Sequence, residues 1–153
     1  MFLAGMSLWI LFLIFAVSVL GGLILARKIG KAEFGKAVKL GMFLVVFDFI
    51  FENIGAAVGL WHTAGSSLQL LAVPVEVVGI AFCSGFVYSL LFSKMKRAEL
   101  IFICSIIAVA GTVLEAALIK DGMLFYTGWW NSYLAYVSYL IAFFMLGEAN
   151  RRL

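Results

Sequence analysis

The stretch Ala37–Leu60, AVKLGMFLVVFDFIFENIGAAVGL, is apolar along most of its length and contains only three charged side chains. Those side chains are Lys39, Asp48 and Glu52. An α-helix needs about 20 predominantly apolar residues to cross the hydrocarbon core of a bilayer. The stretch is long enough, so it predicts a membrane-spanning helix that carries two carboxylic acids.

Four further stretches have a similar length and composition: Phe2–Ala26, Leu68–Phe92, Leu100–Ile119 and Trp129–Leu146. The chain of 153 residues is 65% hydrophobic and 12% charged, with a mean hydropathy of +1.16. These values are far from those of a soluble domain. The sequence therefore predicts an all-α, multi-pass protein of the cell membrane, in which residues 1–153 form one bundle of five transmembrane helices. The segments between the stretches are short, so consecutive helices are predicted to be antiparallel neighbours.

The basic residues indicate how this bundle is oriented. Ten of the 11 fall on one side of the predicted helices: Arg27, Lys28, Lys31, Lys36, Lys39, Lys94, Lys96, Arg97, Arg151 and Arg152. Lys120 is the exception. Lys and Arg concentrate in cytoplasmic loops, so the N-terminus is predicted to lie outside and the C-terminus in the cytoplasm. The net charge of +3 is then explained by topology, and no nucleic-acid partner is expected.

Four carboxylic acids fall inside the predicted spans: Asp48, Glu52, Glu76 and Glu115. Each costs on the order of 3 kcal/mol at the bilayer centre, so four of them need a reason. Each shares a helical face with small residues, as Glu52 does with Gly55, and such faces meet other helices or line cavities. We predict that the acids converge in the bundle, and that Glu76, which follows Pro74, is the principal one. The alternative is that each acid only hydrogen-bonds a neighbouring helix.

Other side chains near the ends of the spans are candidates for binding a substrate: Trp61, His62, Asn53, Tyr126, Trp129, Trp130 and Asn131. The aromatic residues also fit an interfacial belt, and the two asparagines are candidates for hydrogen bonds to a buried carboxyl. His62 is the only histidine, and the chain has neither a phosphate loop nor an aspartate-rich diphosphate motif. We therefore expect no metal and no cofactor.

Two parts of the chain are weakly similar to each other. Glu52 is followed by Trp61-His62-Thr63, and Glu115 is followed by Tyr126-Thr127-Gly128. In each, an acid on an outgoing helix precedes an aromatic residue and a threonine in a loop. An ancient duplication would explain this pattern, with residues 1–93 as a three-span unit and residues 94–153 as a degenerate two-span repeat.

The first part also resembles a known family. A basic first loop, Asp48, the turn Gly59-Leu60-Trp61 and the motif Pro74-Val75-Glu76 resemble the lycopene cyclase domain of the heterodimeric and fused membrane carotenoid cyclases. That domain has three spans, a Gly-x-Trp turn and a Pro-x-Glu motif, so the resemblance covers about residues 1–93. The family usually has a second acid directly after the Pro-x-Glu glutamate, where this chain has Val77.

The resemblance implies a polyprenoid or carotenoid substrate in the bilayer and a cyclisation without net oxidation or reduction. A buried acid would protonate a terminal alkene, a neighbouring double bond would attack the cation, and a base would remove a proton. The acid would be Glu76 or Glu115, and the base or stabiliser Glu52 or Asp48. The wall that stabilises the cation would be a tryptophan: Trp61, Trp129 or Trp130.

Two other functions fit the same residues. Carboxyls within spans also occur in proton-coupled carriers and cation paths. A non-catalytic subunit would use Gly55-x-x-x-Gly59 to pack against a partner helix, and the same glycines suggest a homodimer. Only an enzyme changes the lipids of a polyene-producing host, so lipid analysis separates these functions.

Overall fold

The computed structural model describes residues 7–153, which contain five helices and four short strands. The helices are α1 (Leu8–Ala26), α2 (Lys31–Ala57), α3 (Val75–Phe92), α4 (Arg97–Lys120) and α5 (Ser132–Arg152). The strands are β1 (Trp61–Thr63), β2 (Gln69–Leu70), β3 (Val73–Pro74) and β4 (Leu124–Tyr126). Each helix is long and apolar enough to cross a membrane. The prediction of a helical architecture with five such helices is confirmed.

The third helix begins at Val75 and not at Leu68, because the residues between them form a hairpin. Strand β2 pairs antiparallel with β3, and Leu71 at the tip has a positive φ of 58°. Pro74, which has no N–H to donate, then occupies the N-cap of α3. Glu76 is consequently the second residue of the helix, so it lies at the very start of the third span and not well inside it. The predicted depth of this acid is therefore wrong.

The other predicted helix bounds need smaller corrections. Helices α2 and α4 begin several residues earlier than predicted, inside the basic segments. Helix α5 begins at Ser132, after the Asn131 side chain accepts hydrogen bonds from the first amides of the helix. Trp129 and Trp130 therefore lie in the preceding loop. The predicted start of the first helix, Phe2, lies outside the described residues.

Consecutive helices run in opposite directions, but only two consecutive pairs pack closely. Helix α2 packs against α3 and α4 against α5, as predicted, and α5 also contacts α2. Helix α1 packs more closely against α3 than against α2. The reason is visible at Gly79, where an added Cβ would come within 2.6 Å of the Leu13 side chain of α1. The small residue on α3 thus makes room for α1.

Two clusters of buried side chains occupy the two ends of the bundle. We call the end that carries β1 to β4 the strand end, and its cluster consists of Trp9, Leu60, Trp61, Leu118 and Leu124. The cluster nearer the opposite end consists of Leu40, Leu44, Ala81, Tyr88, Leu100, Cys104 and Leu146. The space between the two clusters contains the candidate site.

The segments α2–β1 and α4–β4 have the same local structure. Each helix ends before a glycine with positive φ, Gly59 (72°) and Gly122 (69°), and in each the following amide returns to a carbonyl of the last helical turn. A residue with a Cβ would be strained at these positions. The two strands then pair antiparallel with His62 opposite Phe125. Both pairs are 63 residues apart in sequence, so the two segments are related by an approximate two-fold axis through the strand pair.

Candidate functional site

A cavity of about 270 Å³ lies between the two buried clusters, and all five helices contribute to its wall. Three carboxylic acids line it: Asp48, Glu52 and Glu115. The remaining wall is mainly apolar, and no lysine, arginine or histidine lines the cavity in the described part of the chain. A chamber of about 80 Å³ adjoins it toward the strand end and shares the same three acids. The carboxyls therefore lie where an apolar cavity meets a smaller chamber.

Several aromatic side chains line the smaller chamber: Trp9, Phe51, Trp61, Tyr126, Trp130 and Tyr139. The ring centroids of Trp61 and Trp130 are 4.6 Å apart, and that of Phe51 lies 5.2 Å from Trp61 and 6.0 Å from Trp130. These three rings pack against one another near the acids. An aromatic face attracts positive charge, so this wall suits a cation that forms or binds in the chamber.

The Glu52 carboxyl accepts a hydrogen bond from the indole of a tryptophan. The Trp61 Nε1–H donates to Glu52 Oε2 at 2.7 Å. The Trp61 ring lies over Gly55, where an added Cβ would come within 2.0 Å of it. Gly55 is therefore needed so that the tryptophan can reach the acid one turn earlier on α2.

Glu115 is held by two phenols. The Tyr139 hydroxyl donates to Glu115 Oε1 at 2.7 Å, and the Tyr126 hydroxyl donates to Oε2. Burial, with the neighbouring Glu115 carboxyl, raises the pKa of the Tyr126 hydroxyl above its ordinary value, so this group stays protonated and remains a donor. The Tyr139 ring lies against Gly111, where an added Cβ would be 3.0 Å from it. Neither Tyr139 nor the role of Gly111 is predicted from the sequence.

Asp48 differs from the other two acids. It lies one turn before Glu52 on the same face of α2 and lines both the cavity and the chamber. Among residues 7–153 its carboxyl has no hydrogen-bond partner. The residue at the equivalent position of α4 is Gly111, so the approximate two-fold supplies no second copy of this acid. Asp48 is therefore the acid whose carboxyl is free to contact a ligand.

Glu76 lies outside this site, so the predicted convergence is correct for three acids and wrong for the fourth. Its side chain is only 2% exposed, and its carboxylate accepts hydrogen bonds from the Ser66 hydroxyl (2.6 Å), the Ser67 amide (3.0 Å) and the Ser67 hydroxyl. Gly79, one turn further along α3, lies against Leu13 of α1. Other residues of α3, Ile80 and Ser84 among them, line the cavity.

The two predicted asparagines do not bond any of the acids. Asn53 donates to the Phe49 carbonyl at 2.7 Å and accepts from the Ala72 amide at 3.2 Å, so it fastens the β2–β3 hairpin to α2. Asn131 caps α5. The amide groups therefore shape the loops around the site, and Trp61, Tyr126 and Tyr139 supply the hydrogen bonds to the acids.

The remaining candidates lie at the strand end. His62 is exposed and stacks on Phe125, with ring centroids 4.7 Å apart and planes inclined by 9°. Trp129 is largely exposed, whereas Trp130 lines the chamber. Residues 7–153 contain no group of three or more His, Cys, Asp or Glu side chains arranged to hold a metal.

Gly55 and Gly59, which are predicted to form one packing face, have different roles in the structure. Gly55 is covered by Trp61 of the same chain. Gly59 lies beyond the last residue of α2 with a positive φ, so it belongs to the turn that ends the helix. The homodimer itself stays a prediction, and it would have to use another surface.

The fold and the site together describe a class of protein: a five-helix bundle compatible with a multi-pass membrane protein, with a cavity lined by carboxylic acids. No family model, curated protein or solved structure matches this chain. The resemblance to the lycopene cyclase domain stays a prediction.

Proposed function

We propose that this chain is a multi-pass membrane enzyme that protonates and cyclises the end of a polyprenoid or carotenoid-type chain. The observation that supports it is the placement of three carboxyls in the wall of an apolar cavity beside packed aromatic rings, with no basic side chain among the described residues that line it. Acid–base chemistry on a hydrocarbon requires such a combination, because the substrate offers no polar group and the reaction passes through a cation.

The hydrogen bonds to the acids that line the cavity indicate which catalytic role each has. Glu115 accepts two phenolic hydrogens and Glu52 accepts an indole hydrogen, and each of these donors favours the negatively charged form of the carboxyl over the neutral one. Asp48 has no such donor, and a neutral carboxylic acid is the form best suited to an apolar space. We therefore assign Asp48 as the proton donor, and Glu115 and Glu52 as the bases and stabilisers.

The reaction balances without an oxidant or reductant. Asp48 gives its proton to one carbon of a terminal double bond, which leaves a carbocation on the other carbon. A second double bond of the chain attacks that carbon and closes the ring by a new C–C bond, which moves the positive charge. Glu115 or Glu52 removes a proton beside the new cation, and a new double bond forms. Return of the proton to Asp48 within the cavity restores the starting state.

The rings beside the acids favour the charged intermediate. The faces of Trp61 and Trp130 lie beside the chamber, where they contribute on the order of 1–2 kcal/mol to the stability of a desolvated cation. Because the walls are apolar, the cation is also kept from water, which would capture it as an alcohol.

Expression of the chain in a polyene-producing host tests this proposal. The expected product has the same mass as the host polyene, one more ring and one double bond fewer. The control is the variant in which Asp48→Asn, Glu52→Gln and Glu115→Gln are combined, and it should give no product. If the wild-type chain is folded in the membrane and the host lipids are unchanged, the proposal is wrong.

A carrier receives less support than an enzyme. Carriers expose their site alternately to the two faces of the membrane. Here buried side chains fill the bundle on both sides of the cavity, including Trp9 and Leu118 toward the strand end and Leu44 toward the other. This arrangement favours a site reached from within the bilayer.

The proposed orientation has the N-terminus and the strand end outside and the C-terminus in the cytoplasm. It is supported by the ten basic residues on the opposite side of the bundle from β1 to β4. A reporter fused after Leu153 should be cytoplasmic, and one inserted between Gly65 and Ser66 should be external. An external C-terminal reporter would overturn this orientation.

A further inference from the structure

One edge of α4 is the place where the cavity is open. Of the described residues that line the cavity, Ala110 and Leu114 alone are exposed, and 47% of Leu114 is accessible. They lie one turn apart on the same side of the helix. The other lining residues are buried or half-buried, so the wall has a single gap, which we call the α4 portal and define by Ala110 and Leu114.

The packing of the helices explains the position of this gap. In the described part of the chain, α4 packs most closely on α5, and it meets α3 at Tyr88 and Cys104, in the buried cluster beyond the cavity. Phe12 of α1 and Ile80 of α3 line the same cavity, but at this level neither helix is packed as closely on α4 as α5 is. Both ends of the cavity are filled, since the lining residues Trp9 and Leu44 are buried. The opening is therefore lateral.

The surface around the α4 portal is apolar. Ile106, Val109 and Val113 are exposed on α4 beside it, with accessible fractions of 49%, 55% and 63%. None of the three lines the cavity. Exposed aliphatic side chains in the middle of a spanning helix face lipid hydrocarbon. The opening thus connects the cavity with the acyl-chain region of the bilayer and not with water.

We propose that the end of a long hydrocarbon chain enters the cavity from the bilayer through the α4 portal, while the rest of the chain stays in the lipid. A volume of about 270 Å³ is small even for a drug-sized ligand, whose pockets measure roughly 300–1,000 Å³. The site therefore selects for the shape of the chain end and tolerates different chain lengths. The identity of the chain as a polyprenoid rests on the proposed function, whereas the route does not.

Photolabelling of the full chain in phosphatidylcholine nanodiscs tests the route. The probe is a neutral long-chain alkane with a terminal diazirine, which loses N₂ on illumination and forms covalent adducts with nearby groups, carboxyls included. Mass spectrometry of the wild type should find adducts on Asp48, Glu52 or Glu115. A small water-soluble diazirine should leave these acids unlabelled.

Substitutions on one face of α4 provide the matched comparison. Ala110→Phe fills the portal, so adducts on the three acids should be lost. Val109→Phe adds the same ring one residue away on the lipid-facing side, and labelling should be unchanged. Leu114→Trp is a second blocking variant in case Ala110→Phe does not fold, and folding is checked by circular dichroism and thermal melting.

The outcomes separate the route from the reaction. If the acids are labelled equally in the wild type and in both blocking variants, or are labelled only by the water-soluble probe, the route is wrong. If the blocking variants lose the label and the polyene-producing host yields no cyclised product, the route stands and the proposed function fails.

Discussion

Glu76 and Glu115 are the same residue type on helices of similar composition, and yet their carboxyl groups have opposite surroundings. The Glu76 carboxylate is enclosed and accepts three hydrogen bonds from Ser66 and Ser67. The Glu115 carboxyl accepts two, from Tyr126 and Tyr139, and still lines a cavity. An acid within an apolar helix can thus serve either the loop beside it or a ligand.

The comparison extends to the regions around the two acids. Around Glu76 the polar contacts hold the β2–β3 hairpin to α2 and α3, and they fix the chain between the helices. Around Glu115 the polar contacts come from side chains on other elements, and they fix the carboxyl in a space that admits another molecule. Loss of the first kind of contact should reduce stability, and loss of the second kind should reduce activity.

The largest effect is expected for Asp48→Asn. The amide has nearly the same shape but no transferable proton, so the rate of cyclisation should fall by about 10²–10⁴-fold, the usual contribution of a general acid. The midpoint of thermal unfolding should stay close to that of the wild type, because the carboxyl has no hydrogen bond to lose. Product formation in isolated membranes and melting in detergent measure the two effects. Wild-type activity in this variant would assign the proton to another acid.

The sequence could predict the helices because length and hydropathy alone decide which segments can span a bilayer. It could not predict where α3 begins, because the β2–β3 hairpin is apolar apart from Gln69 and has the composition of a span. The 3.6-residue period places Glu76 and Gly79 on one face, but it does not say which neighbour that face meets. At Gly79 that neighbour is α1, and the Glu76 carboxylate bonds Ser66 and Ser67, away from the other acids.

The acids that line the cavity show the same limit of prediction from sequence. Their positions on α2 and α4 were predictable from spacing, and three of the four do converge. Tyr139 was not predictable, because a tyrosine in an apolar helix has the appearance of ordinary bulk. Its role depends on the packing of α4 on α5, and the one signal that the sequence offers is Gly111, a gap one turn before Glu115 into which a ring fits.

A smaller effect is expected for Glu76→Ala, and it should be on stability and not on the rate of cyclisation. Three donors on the half-buried Ser66 and the exposed Ser67 would lose their acceptor, so the free energy of unfolding in mixed micelles should fall by about 2 kcal/mol. Glu76→Gln keeps one acceptor oxygen and should lie between the alanine variant and the wild type. The rate per folded molecule should be unchanged in both. Lost activity in Glu76→Gln at wild-type stability would instead return Glu76 to the reaction, as the Pro-x-Glu resemblance implies.

The smallest effects are expected when Glu115 and Glu76 each lose one hydroxyl group that donates a hydrogen bond to them. Tyr139→Phe removes a donor from Glu115, and Ser67→Ala removes one from Glu76. A hydrogen bond to a charged group contributes roughly 1.5 kcal/mol, so Tyr139→Phe should lower the rate of cyclisation by about tenfold. The effect stays moderate because Tyr126 still donates to the same carboxyl. Ser67→Ala should leave the rate unchanged and lower only the midpoint of thermal unfolding, because the Ser67 amide and the Ser66 hydroxyl still bond Glu76.

Both variants need the same two measurements, the rate per folded molecule and the melting midpoint. If Ser67→Ala slows the reaction as much as Tyr139→Phe does, the two acids belong to one functional unit and the distinction between them is wrong.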